Sequence, residues 1–144
     1  MKADIKTETE VMAVIKQFVE SFTKKDLESN LALYAPDADV VLIGTGVDEK
    51  RVGLIEIEAE ERRAFAQSDE HSIHLDWYSV SAAGSVAWLA SNGSIQARIG
   101  GQEISFPVRL TFVLENREGR WLIMQVHGSL PAVGQKEGDS WPTD

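Results

Sequence analysis

The side chains best suited to chemistry lie in two extended runs of the C-terminal half. Over residues 108–114, strand alternation puts Arg109, Thr111 and Val113 on one face, with Val108, Leu110, Phe112 and Leu114 on the other. In the last run Trp121, Ile123, Gln125, His127 and Ser129 share a face under unbroken alternation. If the polar sets face the interior, Arg109, Thr111, Gln125 and His127 converge there. A guanidinium fork suits a carboxylate or phosphate, and an imidazole donates or exchanges a proton near neutral pH. That arrangement predicts a positive pocket selecting small organic anions, with Arg109 as anchor and His127 as the proton-transfer group. The alternative is that Arg109 pairs with a surface glutamate and His127 hydrogen-bonds a backbone carbonyl. Spacing leaves both open.

Other candidates are weaker. Tyr34 follows a short helix and either points its hydroxyl at a ligand or packs as wall. Trp88 shares strand parity with Ala90 and Asn92, as an aromatic ligand wall or as core. His71 and His74 are three apart on a strand, which turns their rings to opposite faces, and no third ligand is evident; no metal is expected. Asp37 and Asp39 read as solvated turn residues. No Ser-His-Asp motif, nucleotide-binding glycine pattern or P-loop occurs, so no cofactor is expected.

The elements that must position these residues are legible. Thr7 and Glu10 have capping-box spacing, and Val11, Val14, Ile15, Phe18, Val19 and Phe22 then form one apolar helical stripe. Asp26 caps a short second helix that Pro36 stops, and residues 39–43 read as a strand broken by Gly44-Thr45-Gly46. A polar loop runs on to Gly53. Residues 54–67 return to helical spacing, with Glu56, Glu58, Glu60 and Glu61 ahead of Arg62 and Arg63, the order the helix dipole favours. Four extended runs follow, at 72–81, 85–98, 103–115 and 120–129, each joined to the next by a Gly-containing turn. This is an α+β pattern: one domain over 1–144, its core at about 7–131 and a loose tail at 132–144. One meander face is expected under the helices. The other, expected to carry Leu110, Phe112 and Leu114, would be covered by a second copy, making a homodimer through the sheet.

The totals exclude whole classes of function. The chain has 144 residues, 43% of them apolar, enough for one substantial core. Its 23 acidic against 14 basic residues give a net charge of −9 and no basic run, which argues against nucleic-acid or anionic-membrane partners. Cysteine is absent, removing disulfides, thiolate metal sites and a cysteine nucleophile. With no apolar signal core and no apolar run of the ~18 residues a membrane span needs, a cytoplasmic setting is expected.

Several segments resemble a known superfamily. The stretch Ala13-Val14-Ile15-Lys16-Gln17-Phe18-Val19, then Lys25-Asp26-Leu27-Glu28, then Leu33-Tyr34-Ala35-Pro36-Asp37-Ala38 are similar to SnoaL-like and ketosteroid-isomerase-like proteins, within the nuclear transport factor two-like superfamily. The closing segment 119–131, with Gly119-x-Trp121 and His127-x-Ser129, resembles the subgroup that contains the association domain of calmodulin-dependent kinase. The resemblance implies a cystatin-like fold in which a bent antiparallel sheet wraps a long N-terminal helix and two shorter ones. It also implies a cone-shaped α+β barrel that opens at one end, and common dimerisation. Fold does not settle function.

Steroid isomerisation requires a carboxylate base, a tyrosine donor and a protonated carboxylic acid. Laid on this chain, those roles fall at Leu42, Phe18 and near Arg109, none of which can serve. Two readings remain. One is a conical pocket for a small, anionic, partly apolar molecule, with isomerase- or lyase-type proton transfer, His127 as the catalytic group and Arg109, Tyr34, Trp88, Gln125 and Thr111 binding the ligand. The other is a non-catalytic association module.

Overall fold

The computed structural model describes residues 1–143. Helix α1 spans Ile5–Thr23, and its capping residue is Asp4, whose carboxylate accepts from the Thr7 amide at 2.8 Å. The expected capping box is therefore replaced by an aspartate three residues earlier. Val11, Ile15 and Phe18 are buried, as the apolar stripe requires. Helix α2 (Leu27–Leu31) is capped by Asp26, which accepts from the Ser29 amide. Helix α3 covers Leu54–Ala66.

Six strands form one curved, unclosed sheet: β1 (Val41–Ile43), β2 (Lys50–Val52), β3 (Glu70–Ala83), β4 (Val86–Ile99), β5 (Gln102–Arg117) and β6 (Arg120–Ser129). Their order is β2-β1-β6-β5-β4-β3. The meander pairs antiparallel throughout, whereas β1 returns to lie parallel to β6, with Leu42 opposite Val126. Strand β2 falls in the segment read as loop. It has three residues, two of them cationic, and is held by pairing with β1 rather than by local preference. Gly100-Gly101 and Glu118-Gly119 have positive φ at both positions, the two-residue turn whose twist matches antiparallel strands.

The three helices pack on one face of the sheet, and there the sequence expectation is reversed. Val108, Leu110, Phe112 and Leu114 are buried beneath the helices, with the Phe112 ring meeting Phe18 edge-on at 5.2 Å between centroids. Arg109 and Thr111 are thereby turned to the outer face. On β6 the cause is a bulge. Leu114 pairs with Ile123 but Val113 pairs with Gln125, so Met124 is an extra residue. One inserted residue inverts the alternation. Trp121 and Ile123 point inward, but beyond Met124 it is Val126 and Gly128 that do, and Gln125 and His127 are exposed.

A second bulge, at Asp76, interrupts the pairing of β3 with β4 between Leu75 and Trp77. It keeps His71, Ile73 and Val80 on the inner side despite their mixed parity. Gly93 lies opposite: a Cβ there would fall 1.8 Å from the His74 carbonyl oxygen, so only glycine admits the approach. At the start of the chain, Lys2 bridges to Ser81 on β3. After Ser129 the chain makes two turns, closed by the Gln135 and Asp139 amides, and Trp141 is exposed.

Candidate functional site

Between α1, α3 and the inner sheet face lies a cavity of about 330 Å³, at the small end of the ~300–1,000 Å³ usual for ligand pockets. Its walls are mainly apolar, including Phe18, Phe22, Ile73, Phe106, Leu110 and Val126, and the β1–β2 hairpin forms part of its rim through Gly44, Thr45 and Glu49. A larger depression of about 630 Å³ lies over the ends of β3–β5, but its lining is mainly polar, and its Arg98 already pairs with Glu70 at 2.8 Å.

The polar groups of the cavity come chiefly from α3. Leu54, Ile57, Glu61 and Ala64 recur at helical spacing, so Glu61 interrupts an apolar stripe that faces inward. Its side chain is buried at 4% exposure, and Oε2 has no hydrogen-bond partner. Burial pushes its carboxyl up to about 7, and the charges of Glu60 and Glu49 add to the effect. The adjacent Glu60 is differently placed: Arg51 and Arg63 both hold it, at 2.8 and 3.0 Å. Arg63 also grips Asp48 at 2.7 Å, tying the β1–β2 hairpin to α3 at the cavity rim. Sequence reasoning read Glu61 as a dipole charge. The signal that reveals it is its phase with Leu54 and Ile57.

His71 forms a second polar centre. Its ring packs against both Phe22 and Phe65, at 4.1 and 5.3 Å between centroids, and those two rings also meet each other at 5.8 Å. Nε2 is 2.6 Å from the Phe22 carbonyl oxygen, and Nδ1 is 2.7 Å from the Ser68 hydroxyl. Burial pulls the imidazole below its ordinary value, and the bond to Phe22 opposes this in part. His74 lies on the opposite face, 3.2 Å from Asp76. Among the described residues no group of three or more His, Cys, Asp or Glu could hold a metal ion.

Arg109, Thr111, Gln125, His127 and Trp88 are brought together, but outside the cavity. Trp88, Val113, Gln125 and Val41 form one cross-strand row, Ala90, Thr111, His127 and Ile43 the next, and Asn92, Arg109 and Ser129 a third. All three rows lie on the outer face. Among the described residues no lysine or arginine lines the cavity; of its three glutamates Glu49 and Glu60 pair with Arg63 and Glu61 has no ion-pair partner, so the expected positive interior is not formed. Tyr34 is buried against Phe18, with ring centroids 6.4 Å apart, and its hydroxyl has no partner. It lies behind the cavity wall rather than in it. Burial first and the Glu61 charge second push its phenol well above the ordinary range. Asp37, read as a solvated turn residue, is held bidentately by Arg117 at 2.7 and 2.5 Å.

The family model of the SnoaL-like domain matches residues 11–133. The chain belongs to the SnoaL-like family. Solved structures of the NTF2-like superfamily share its fold. A Salmonella enterica protein of that superfamily superposes with a TM-score of 0.84 at 19% identity, over 96% of this chain and 100% of its own. A Streptomyces avermitilis NTF2-like protein, a candidate dehydratase, gives 0.79 at 19% over 87% and 97%. A Nostoc punctiforme protein with a cystatin-like fold gives 0.76 at 16% over 92% and 97%. At these identities the likeness is one of fold. Among curated proteins none matches this SnoaL-like chain in sequence.

Proposed function

We propose that this SnoaL-like protein binds a small, mainly apolar, uncharged molecule in its conical cavity and transfers a proton there through Glu61. The observation that carries the reading is the Glu61 carboxyl itself: buried, lining an apolar cavity, with one oxygen lacking any partner. A carboxyl poised near 7 is divided between acid and base at neutral pH, which suits general acid–base catalysis. The ionised oxygen takes a proton from carbon beside an electron-withdrawing group. It then returns that proton to another carbon, an isomerisation, or to a departing hydroxyl, an elimination. The relationship in fold to a candidate dehydratase is compatible with either. The unpaired Glu61 carboxyl, with no lysine or arginine among the described lining residues, argues against the anionic ligand expected from Arg109 and His127.

Cyclohexanone tests this reading. Hydrogen–deuterium exchange at its α-carbon, followed by proton NMR in deuterated buffer, is expected to be accelerated by the wild type and not by Glu61→Gln. Absence both of acceleration and of any rise in melting temperature with cyclohexanone would defeat the proposal, because a bound ligand stabilises by mass action.

A second reading concerns the outer face. We infer that it pairs two copies into a homodimer, with Arg109, Thr111, Gln125 and His127 as its polar contacts. Supporting this, the rows that hold them also carry Val41, Ile43, Val113 and the part-exposed Trp88, and Trp77 lies nearby with 56% exposure. Light scattering is expected to give twice the chain mass for the wild type and the monomer mass for Val113→Lys. No described helix is long and apolar enough to cross a membrane. The acidic, cysteine-free composition supports a cytoplasmic setting as part of the same proposal.

A further inference from the structure

We propose that Ser68, polarised by His71, is a second acceptor pole of the cavity, so that the ligand is an elongated molecule with a hydrogen-bond donor at each end. This inference rests on the cavity reading above and adds to it the shape and polarity of the occupant.

The argument begins with the tautomer. The Phe22 carbonyl oxygen can only accept, so the His71 Nε2 facing it at 2.6 Å carries the proton. In the neutral ring, Nδ1 is then an acceptor, and burial favours the neutral ring. The Ser68 hydroxyl, 2.7 Å away, therefore donates its single proton to Nδ1 in preference to the Ala64 carbonyl oxygen at 3.3 Å. What Ser68 has left to offer is a lone pair. Because Ser68 and His71 both line the cavity, that lone pair is available to a ligand's O–H or N–H.

The position of Ser68 is fixed. The Lys25 ammonium donates to the backbone carbonyl of Ser68 and, at 2.8 Å, to that of Phe65, fastening the end of α3. Lys25 itself adopts a left-handed backbone, φ 56°, at the α1–α2 turn. Ser68 stands at the negative end of the α3 dipole, where an oxyanion is disfavoured. An acceptor fits there; an acylated nucleophile does not.

Glu61 lies on α3 and Ser68 two residues past its end, with Ala64 between them in the chain, and all three line the same cavity. The five helical steps from Glu61 to Ala66 alone span roughly 7–8 Å at the helical rise. When ionised, Glu61 also accepts. The cavity wall facing α3 is apolar, from Phe22 of α1 and from Ile73 and Leu110 of the sheet. A ligand that satisfies both ends has an apolar middle and two terminal donors.

Terminal diols of butane, hexane, octane and decane, each compared with the straight-chain alcohol of the same length, test this directly. Binding is followed by melting temperature and calorimetry at pH 8. One diol of intermediate length is expected to bind about fivefold tighter than its mono-alcohol, the gain of one net hydrogen bond. Ser68→Ala is expected to abolish that preference while still binding the mono-alcohol, and Ser68→Thr, which keeps the hydroxyl, to retain it. Melting of each unliganded variant checks that it folds. If mono-alcohols bind in a Glu61-dependent manner but no diol is preferred, the second pole is refuted and the cavity reading stands. If no alcohol binds while cyclohexanone does, the second pole alone is refuted; if cyclohexanone also gives neither exchange nor stabilisation, both readings fall.

Discussion

Glu60 and Glu61 are neighbours in the chain and both are buried, yet Arg51 and Arg63 clasp the first while Oε2 of the second has no partner. One helical step of 100° separates a structural ion pair from a group free to titrate. The same step sets how stability responds to pH. A carboxyl raised from 4.5 to about 7 binds its proton more tightly folded than unfolded. Its stabilising share is therefore fully present below the ordinary carboxylate value and lost as pH rises through 7. The loss is about 3 kcal/mol at most. Urea unfolding of wild type and Glu61→Gln between pH 4 and 8 checks this. The variant should lack that decline and be the more stable protein at pH 8.

Phe112 anchors α1 to the sheet through its edge contact with Phe18, at 1% exposure. Phe112→Ala should cost about 4 kcal/mol, the usual range for removing a buried aromatic ring. Phe112→Leu should cost less than half of that. Both are measured as shifts in the urea midpoint at constant slope.

The bulge at Asp76 depends on the close approach at Gly93. Gly93→Ala must move backbone rather than a flexible side chain, so a loss above about 3 kcal/mol, or failure to fold, is expected. A variant melting within a few degrees of the wild type would mean that β3 approaches less closely than described.

The Trp121 indole Nε1–H donates to Glu10 Oε2 at 3.0 Å, joining β6 to α1. Glu10→Ala should cost about 1 kcal/mol and Glu10→Gln, which keeps an acceptor, appreciably less. Trp121→Phe, combined with each in a double-mutant cycle, should remove the difference between them.

The sequence made the architecture legible wherever periodicity was long. The α1 stripe from Val11 to Phe22 and the four runs of the meander needed only alternation and turn residues to be recognised. Strand β2 escaped because Lys50-Arg51-Val52 has no periodicity of its own; its partners in β1 create it. The site was misplaced for a different reason. Alternation identifies two faces but not which one is buried, and the extra residue at Met124 exchanges them midway along β6. Gln125 and His127 therefore share parity with Trp121 in the sequence and lie opposite it in space. Glu61 was visible in principle, as a carboxylate in phase with Leu54 and Ile57. Read as one of four acids complementing a dipole, it was indistinguishable from Glu58, which is tied to Arg62.

An open sheet leaves β3 with a backbone rim that invites strands from other molecules. The kink at Asp76 keeps that rim from being straight, and Glu70, His74 and Asp76 place ionisable side chains along it, while Lys2 occupies the stretch at Ser81. Natural sheets resist edge-to-edge association by these same means. The distortion that keeps His71 aimed at the cavity thus also guards the molecule against aggregation, and straightening β3 would sacrifice both at once.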